Sequence, residues 1–132
     1  MEIKKDIMKI RMLNNSIRLR LSQGDIKVLE ESGKIIERVN FPSGQELSYS
    51  LMRNEEEMIT ADFMDSEINT FIPVNLLSEW INTDKVGFEQ DLPISGGGTF
   101  KILIEKDFKC LTERSEDESD LFPHPDKDIL NC

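Results

Sequence analysis

Four cations near the start of the chain alternate with aliphatic residues. The run "IMKIRML" (7–13) sets Lys9 and Arg11 on one side of an extended segment. The run "SIRLRLS" (16–22) sets Ser16, Arg18, Arg20 and Ser22 on one side, with Ile17, Leu19 and Leu21 on the other. Guanidinium forks match phosphate and carboxylate oxygens in two-point contacts, so Lys9, Arg11, Arg18 and Arg20 are candidate ligands for an anion. The competing reading is a solvated strand face whose cations pair with acids such as Glu37, Asp62 or Glu105. Both readings stand at the level of sequence.

Asp62, Glu105 and Asp107 are candidate metal ligands, since Mg²⁺ is commonly shared between carboxylates and phosphate oxygens. Their spacing is not a metal motif. The run "SEDESD" (115–120), His124, Cys110 and Cys132 likewise lack the ligand spacing of zinc sites or calcium loops. "SGGG" (95–98) is followed by neither Lys-Ser/Thr nor a helix signal and reads as a loop. His124, the one histidine, lies between Pro123 and Pro125, which argues against Ser/His/Asp catalysis. The chain is expected to bind rather than catalyse.

These residues sit in a chain of 132 residues, one domain by size and long enough to bury a core without metal or disulfides. Its formal net charge is -10, which disfavours nucleic acid, because a polyanion is held by Lys and Arg that neutralise phosphates. The charge is uneven. Residues 1–38 carry nine Lys/Arg and six Asp/Glu; residues 39–132 carry seven and twenty. The candidate anion ligands fall in the basic third. No apolar run approaches the roughly 20 residues of a membrane span, and no secretory signal pattern follows Met1, so the expected location is the cytoplasm, with no membrane partner. The two cysteines are expected to be reduced, with Cys110 packed near a strand end.

The elements that must position the cations are short. Segments 7–13 and 16–22 form a hairpin about Asn14-Asn15, residues that tolerate a left-handed turn. Ser22 and Asp25 make an imperfect capping box for a helix over "QGDIKVLEES", closed by Gly33. Strands follow at 34–41 and 46–52, turning at Pro42-Ser43-Gly44, then at 58–64 and 67–72, turning at Asp65-Ser66. Pro73 opens a second helix, with Leu77, Trp80 and Ile81 on one face. Strands at 85–90 and 99–108 flank the glycine loop. Residues 111–132 form an acidic tail.

Shifted by 51 residues, "IRLRL" lies over "INTFI", Ile26 over Leu77, Leu29 over Trp80, and Lys34-Ile35 over Lys85-Val86. Each half reads strand, strand, helix, strand, strand, which suggests an internal duplication with repeats 7–53 and 58–108. The expected fold is α+β: about eight strands, antiparallel, in a curved sheet or barrel with two helices outside, as a single domain over 1–110.

The stretches "MKIRMLNNSIRLRLS", "WINTDKVGFE" and "EKDFKCLTERSEDESDLFPHP" resemble a small bacterial family of uncharacterised proteins, a domain of unknown function, from Met8 to Pro125. That resemblance carries no activity. It implies that the acidic tail around Arg114, Glu116, Asp117 and Asp120 belongs to the domain and folds back on it. In element order, the chain is also similar to the CYTH triphosphatases and adenylate cyclases, whose eight-stranded tunnel holds triphosphate and metal. Where that family keeps Glu-x-Glu-x-Lys, this chain has Ser16-Ile17-Arg18-Leu19-Arg20. The resemblance thus implies anion binding without the metal-binding glutamates.

The expected function is a binding module for a phosphorylated small molecule or other anion, held in the concave basic face. The alternative is a protein-protein interaction module using an acidic surface or tail. A metal-dependent phosphohydrolase comes last.

Overall fold

The computed structural model describes residues 7–108. Cys110, Cys132, His124 and the run 115–120 lie outside the described residues. Eight strands and two helices follow one another in the order β1 (Lys9–Met12), β2 (Ser16–Leu21), α1 (Gln23–Ser32), β3 (Lys34–Asn40), β4 (Glu46–Asn54), β5 (Thr60–Met64), β6 (Glu67–Pro73), α2 (Val74–Asn82), β7 (Gly87–Pro93) and β8 (Thr99–Lys106).

Local chemistry accounts for two of the hairpin turns and for both ends of α1. Asn14 adopts φ 51° in the first hairpin, and Ser16 Oγ donates to Leu13 O across it at 2.6 Å. Asp65 and Ser66 both take positive φ, 52° and 62°, the two-residue geometry that matches strand twist. At the start of α1, Asp25 N donates to Ser22 Oγ at 3.1 Å and Ser22 N donates to Asp25 Oδ2 at 2.9 Å, so the capping box forms with Asp in place of Glu. Gly33 ends the helix at φ 77°, its N–H donating to Leu29 O at 2.8 Å.

The strands form two four-stranded sheets, ordered β1-β2-β8-β7 and β3-β4-β6-β5. Each is two antiparallel hairpins joined by a parallel pair, β2 beside β8 and β4 beside β6. The expectation of an antiparallel sheet is therefore met only in part, and that of a barrel is corrected. Sequential neighbours pair antiparallel because short turns connect them. The central pairs join strands from opposite halves of the chain: α1 carries the chain from the first sheet to the second, and α2 carries it back. β8 thereby arrives beside β2 pointing the same way, and no local signal announces that pairing.

Hydrogen bonding does not close the sheets into a tunnel of the CYTH kind. Among the described residues, each order ends on strands, β1 and β7 or β3 and β5, that ladder with one neighbour. Side chains join the sheets instead. Ile17, Leu19, Leu21, Ile102 and Ile104 from the first sheet share one buried cluster with Ile35, Tyr49, Leu51 and Ile72 from the second. α1 adds Leu29 to it, and α2 adds Leu77 and Trp80. Each fully buried Leu or Ile contributes roughly 1.5–3 kcal/mol, so this shared core supplies most of the driving force for folding. Two polar contacts clasp the sheets at the start of β1: Met8 N donates to Glu37 Oε2 at 2.9 Å, and Tyr49 OH donates to Met8 O at 2.7 Å. Among the described residues, no helix is long and apolar enough to cross a membrane.

Candidate functional site: a basic face on the first sheet

Alternation along β2 decides which way the cations point. Ile17, Leu19 and Leu21 enter the core, so Ser16, Arg18 and Arg20 stand on the opposite, outer face. Register then sets their neighbours. Lys9 lies directly opposite Arg20, and Arg11 directly opposite Arg18. All four predicted anion ligands are thus brought together on one outer patch of two strands. They do not point toward the buried side.

On the other flank of β2, Arg20 is level with Glu105 and Arg18 with Leu103. Glu105 Oε1 lies 3.1 Å from Arg18 Nε and 3.7 Å from Arg20 Nε. Lys9 Nζ donates to Asp107 Oδ2 at 2.8 Å. Lys9, Arg18 and Arg20 therefore share two carboxylates, and no ion pair to Arg11 forms among the described residues. Arg18 Nε is shielded from water, yet its N–H is not aligned on Glu105 as a hydrogen bond, despite the short distance.

The sign of charge changes across the sheet. On the far side of β8, Lys101 pairs with Glu89 at 2.9 Å and stands opposite Asp91 on β7. The hydrogen bond that Lys101 donates to Glu89 and the field of both carboxylates raise the Lys101 pKa above its ordinary value. Lys101, Glu89 and Asp91 were not singled out from the sequence. The alternation in "TFKILIEK" places Lys101 on the polar side of its strand but says nothing of the β7 neighbours.

The candidate metal ligands are not gathered. Asp62 is on β5 of the second sheet, where its Oδ1 accepts from Asn69 Nδ2 at 3.1 Å. Glu105, on β8 of the first sheet, and Asp107, one residue past the end of that strand, face Arg18, Arg20 and Lys9. Among the described residues, no three Asp, Glu, His or Cys side chains are placed to hold a metal ion.

Two depressions lie elsewhere. One, of about 140 Å³, runs between Glu30, Arg53 and the α2 residues Val74, Leu77, Ser78, Ile81 and Asn82. The second borders Glu55, Glu56 and Glu57 beside Met58 and Phe71. Neither touches the basic face. Large apolar side chains are exposed on the edge strand β5, where Phe63 is 66% and Met64 59% accessible.

The fold and face together define a small two-sheet α+β domain with an outward basic patch. The chain belongs to a family of unknown function, DUF7009, whose model matches residues 8–126. Neither a curated protein nor a solved structure matches it.

Proposed function

We propose that this protein is a binding module that takes an anionic group, such as the phosphate of a small molecule, on the outer face of β1 and β2. Arg11 and Arg18 supply the principal contacts, with Arg20 and Lys9 beside them. The observation that carries this reading is the register: two cation-cation pairs sit directly opposite each other while, among the described residues, only Glu105 and Asp107 compensate them. Like charges across a ladder are unfavourable. An anion between Arg11 and Arg18 relieves that repulsion and gives the shielded Arg18 N–H an acceptor. The resemblance to CYTH proteins adds no support.

The test is a thermal-shift titration of the protein with nucleotides, tripolyphosphate, sugar phosphates and MgCl₂, beside Arg11→Ala. Arg11 holds no ion pair among the described residues, so its removal leaves the fold standing. A melting temperature that rises with phosphate concentration in the wild type, and not in Arg11→Ala, supports the site. No rise with any phosphate compound in a folded protein sinks it.

A second reading, a protein-interaction module, is favoured by the exposure of Phe63 and Met64 along β5, an edge strand among the described residues. A phosphohydrolase has less support, since Asp62 lies on the sheet that does not carry the cations.

A further inference from the structure

We infer that the outer face of the first sheet pairs with the same face of a second copy of this chain, Arg11 of each copy meeting Glu89 of the other. The contact uses cations of the proposed anion site but does not depend on phosphate binding there, so it goes beyond that reading.

Register lays the face out in rows that cross the strands in the order β1, β2, β8, β7. One row runs Lys9, Arg20, Glu105, Gly87, and the next runs Arg11, Arg18, Leu103, Glu89. A third row holds Ser16, Lys101 and Asp91. The β1–β2 half therefore carries Lys9, Arg11, Arg18 and Arg20, whereas the β8–β7 half carries Glu89, Asp91 and Glu105 against the single cation Lys101. Charge changes sign across the strands, and Leu103 stands half-buried near the middle, its neighbours Ile102 and Ile104 turned into the core.

Such a pattern is complementary to itself. A two-fold axis parallel to the strands and midway between β2 and β8 lays β1 over the second copy's β7, and β2 over its β8. Row then meets row. Arg11 falls over the second copy's Glu89, Arg20 over its Glu105, and Arg18 over its Leu103, each contact occurring twice. Lys9 falls over Gly87, which has no side chain to obstruct it. An axis across the strands would instead lay β1 over β1 and cations over cations, so charge selects the first arrangement. Aligned sheets pack about 10 Å apart, a gap that an arginine and a glutamate extended toward each other can bridge.

A small anion uses only the basic half of this face and is repelled by the acidic half; a second copy uses both. Among the described residues Arg11 has no ion pair, and Glu89, although paired with Lys101, keeps 57% of its side chain exposed. Four strands about 4.8 Å apart and about six residues long give a footprint of roughly 400 Å² per copy, about half of what a stable interface buries on each partner. The dimer is therefore weak and electrostatic, formed at high protein concentration and low salt.

Sedimentation velocity of the full chain from about 10 μM to about 1 mM reads the association. At low salt the wild type should sediment faster as its concentration rises, and about 0.5 M NaCl should abolish the increase. Arg11→Glu and Glu89→Arg each place like charges across both symmetric contacts, so each variant alone should associate roughly tenfold more weakly or worse. Mixed in equal amounts, the two variants bring opposite charges together at both contacts and should recover the wild-type association to within about threefold. A misfolded variant could not show that recovery. No concentration dependence in the wild type overturns the dimer, and tripolyphosphate binding to that monomer would leave the anion site standing. Association that survives both single variants, or that mixing fails to restore, overturns this interface in favour of another surface such as β5. Recovery on mixing, with no calorimetric binding of tripolyphosphate to the wild type, supports the dimer and removes the proposed function.

Discussion

Arg11 faces Arg18 directly across the β1–β2 ladder, two guanidinium groups held opposite each other by register on an outer sheet face. Side chains so placed have Cβ atoms about 5 Å apart, and like charges there cost stability. Glu105 relieves Arg18 and Arg20 from the β8 side, but nothing equivalent reaches Arg11 among the described residues.

Replacing Arg11 by Glu converts that repulsion into an attraction. The variant Arg11→Glu should gain about 0.5–1 kcal/mol of stability, raising the melting temperature by a few degrees, and should lose phosphate binding. Thermal melts with and without tripolyphosphate read both effects. A drop in melting temperature would mean that Arg11 is already satisfied and the repulsion is fictitious.

Glu105→Gln acts in the opposite sense. It leaves Arg18 and Arg20 without an ion pair among the described residues, and because the carboxylate is about three-quarters buried, with 26% of its side chain exposed, the loss should be about 1 kcal/mol. The face becomes more positive, so tripolyphosphate should bind more tightly to this less stable protein. Weaker binding would assign Glu105 a part in the site beyond balancing charge.

How much of this was legible in the sequence depends on distance along the chain. Ser22, Asp25 and Gly33 announce α1, Asn14 and Asp65-Ser66 announce two hairpins, and alternation puts Arg18 and Leu19 on opposite faces; all are relations between residues a few positions apart. The β2–β8 and β4–β6 pairings are not of that kind. They join distant strands through backbone groups that every residue carries, so nothing in the side chains marks them. This is also why Glu105 and Asp62, acids on alternating strands, could not be told apart beforehand. Sheet order alone makes one a partner of Arg18 and leaves the other on the second sheet. The outward direction of the cations has the same origin, since it follows from where the second sheet and the helices cover the apolar face.

Gly87 stands opposite Glu105 where β7 meets β8, and a Cβ there would run into the carbonyl oxygen of Ile104 and come within 2.9 Å of Glu105 Cα. Both obstacles are backbone, so the ladder itself has to move. Gly87→Ala should cost about 1–3 kcal/mol. It should also disturb Glu105, weakening the compensation of Arg18 and Arg20. Gly44→Ala, where no atom lies within 4 Å of the added Cβ, serves as a comparison that tests positive φ alone. Equal melting temperatures for Gly87→Ala and the wild type would contradict the close approach of the strands.

The Lys101–Glu89 pair predicts a pH dependence. Glu89 and Asp91 raise the Lys101 pKa, so the folded state holds that proton more firmly than the unfolded chain. The stabilisation is complete below the unfolded lysine value of about 10.4 and disappears as pH rises through the higher folded value. The gap in melting temperature between wild type and Glu89→Gln should therefore be steady from about pH 7 to pH 10 and narrow above that. It should be small, because both side chains are near half exposed. A gap that narrows between pH 7 and pH 9 would place its source in another group.

Tyr49 tests the junction of the two sheets. Its hydroxyl donates to Met8 O at 2.7 Å from within the core, and Met8 is fully buried at the head of β1. Tyr49→Phe keeps the ring and its packing but leaves a buried carbonyl without this donor, at a cost of about 1–3 kcal/mol. Because β1 has only four residues and one laddering neighbour, the loss should be concentrated there. Hydrogen exchange at Ile10, Arg11 and Met12 should quicken more than exchange at Ile102 or Ile104 on β8. Since β1 carries Lys9 and Arg11, phosphate affinity should fall as well, although Tyr49 lies on the other sheet. Uniform quickening across both strands would show that the clasp stabilises the domain globally and does not specifically hold the basic strand in place.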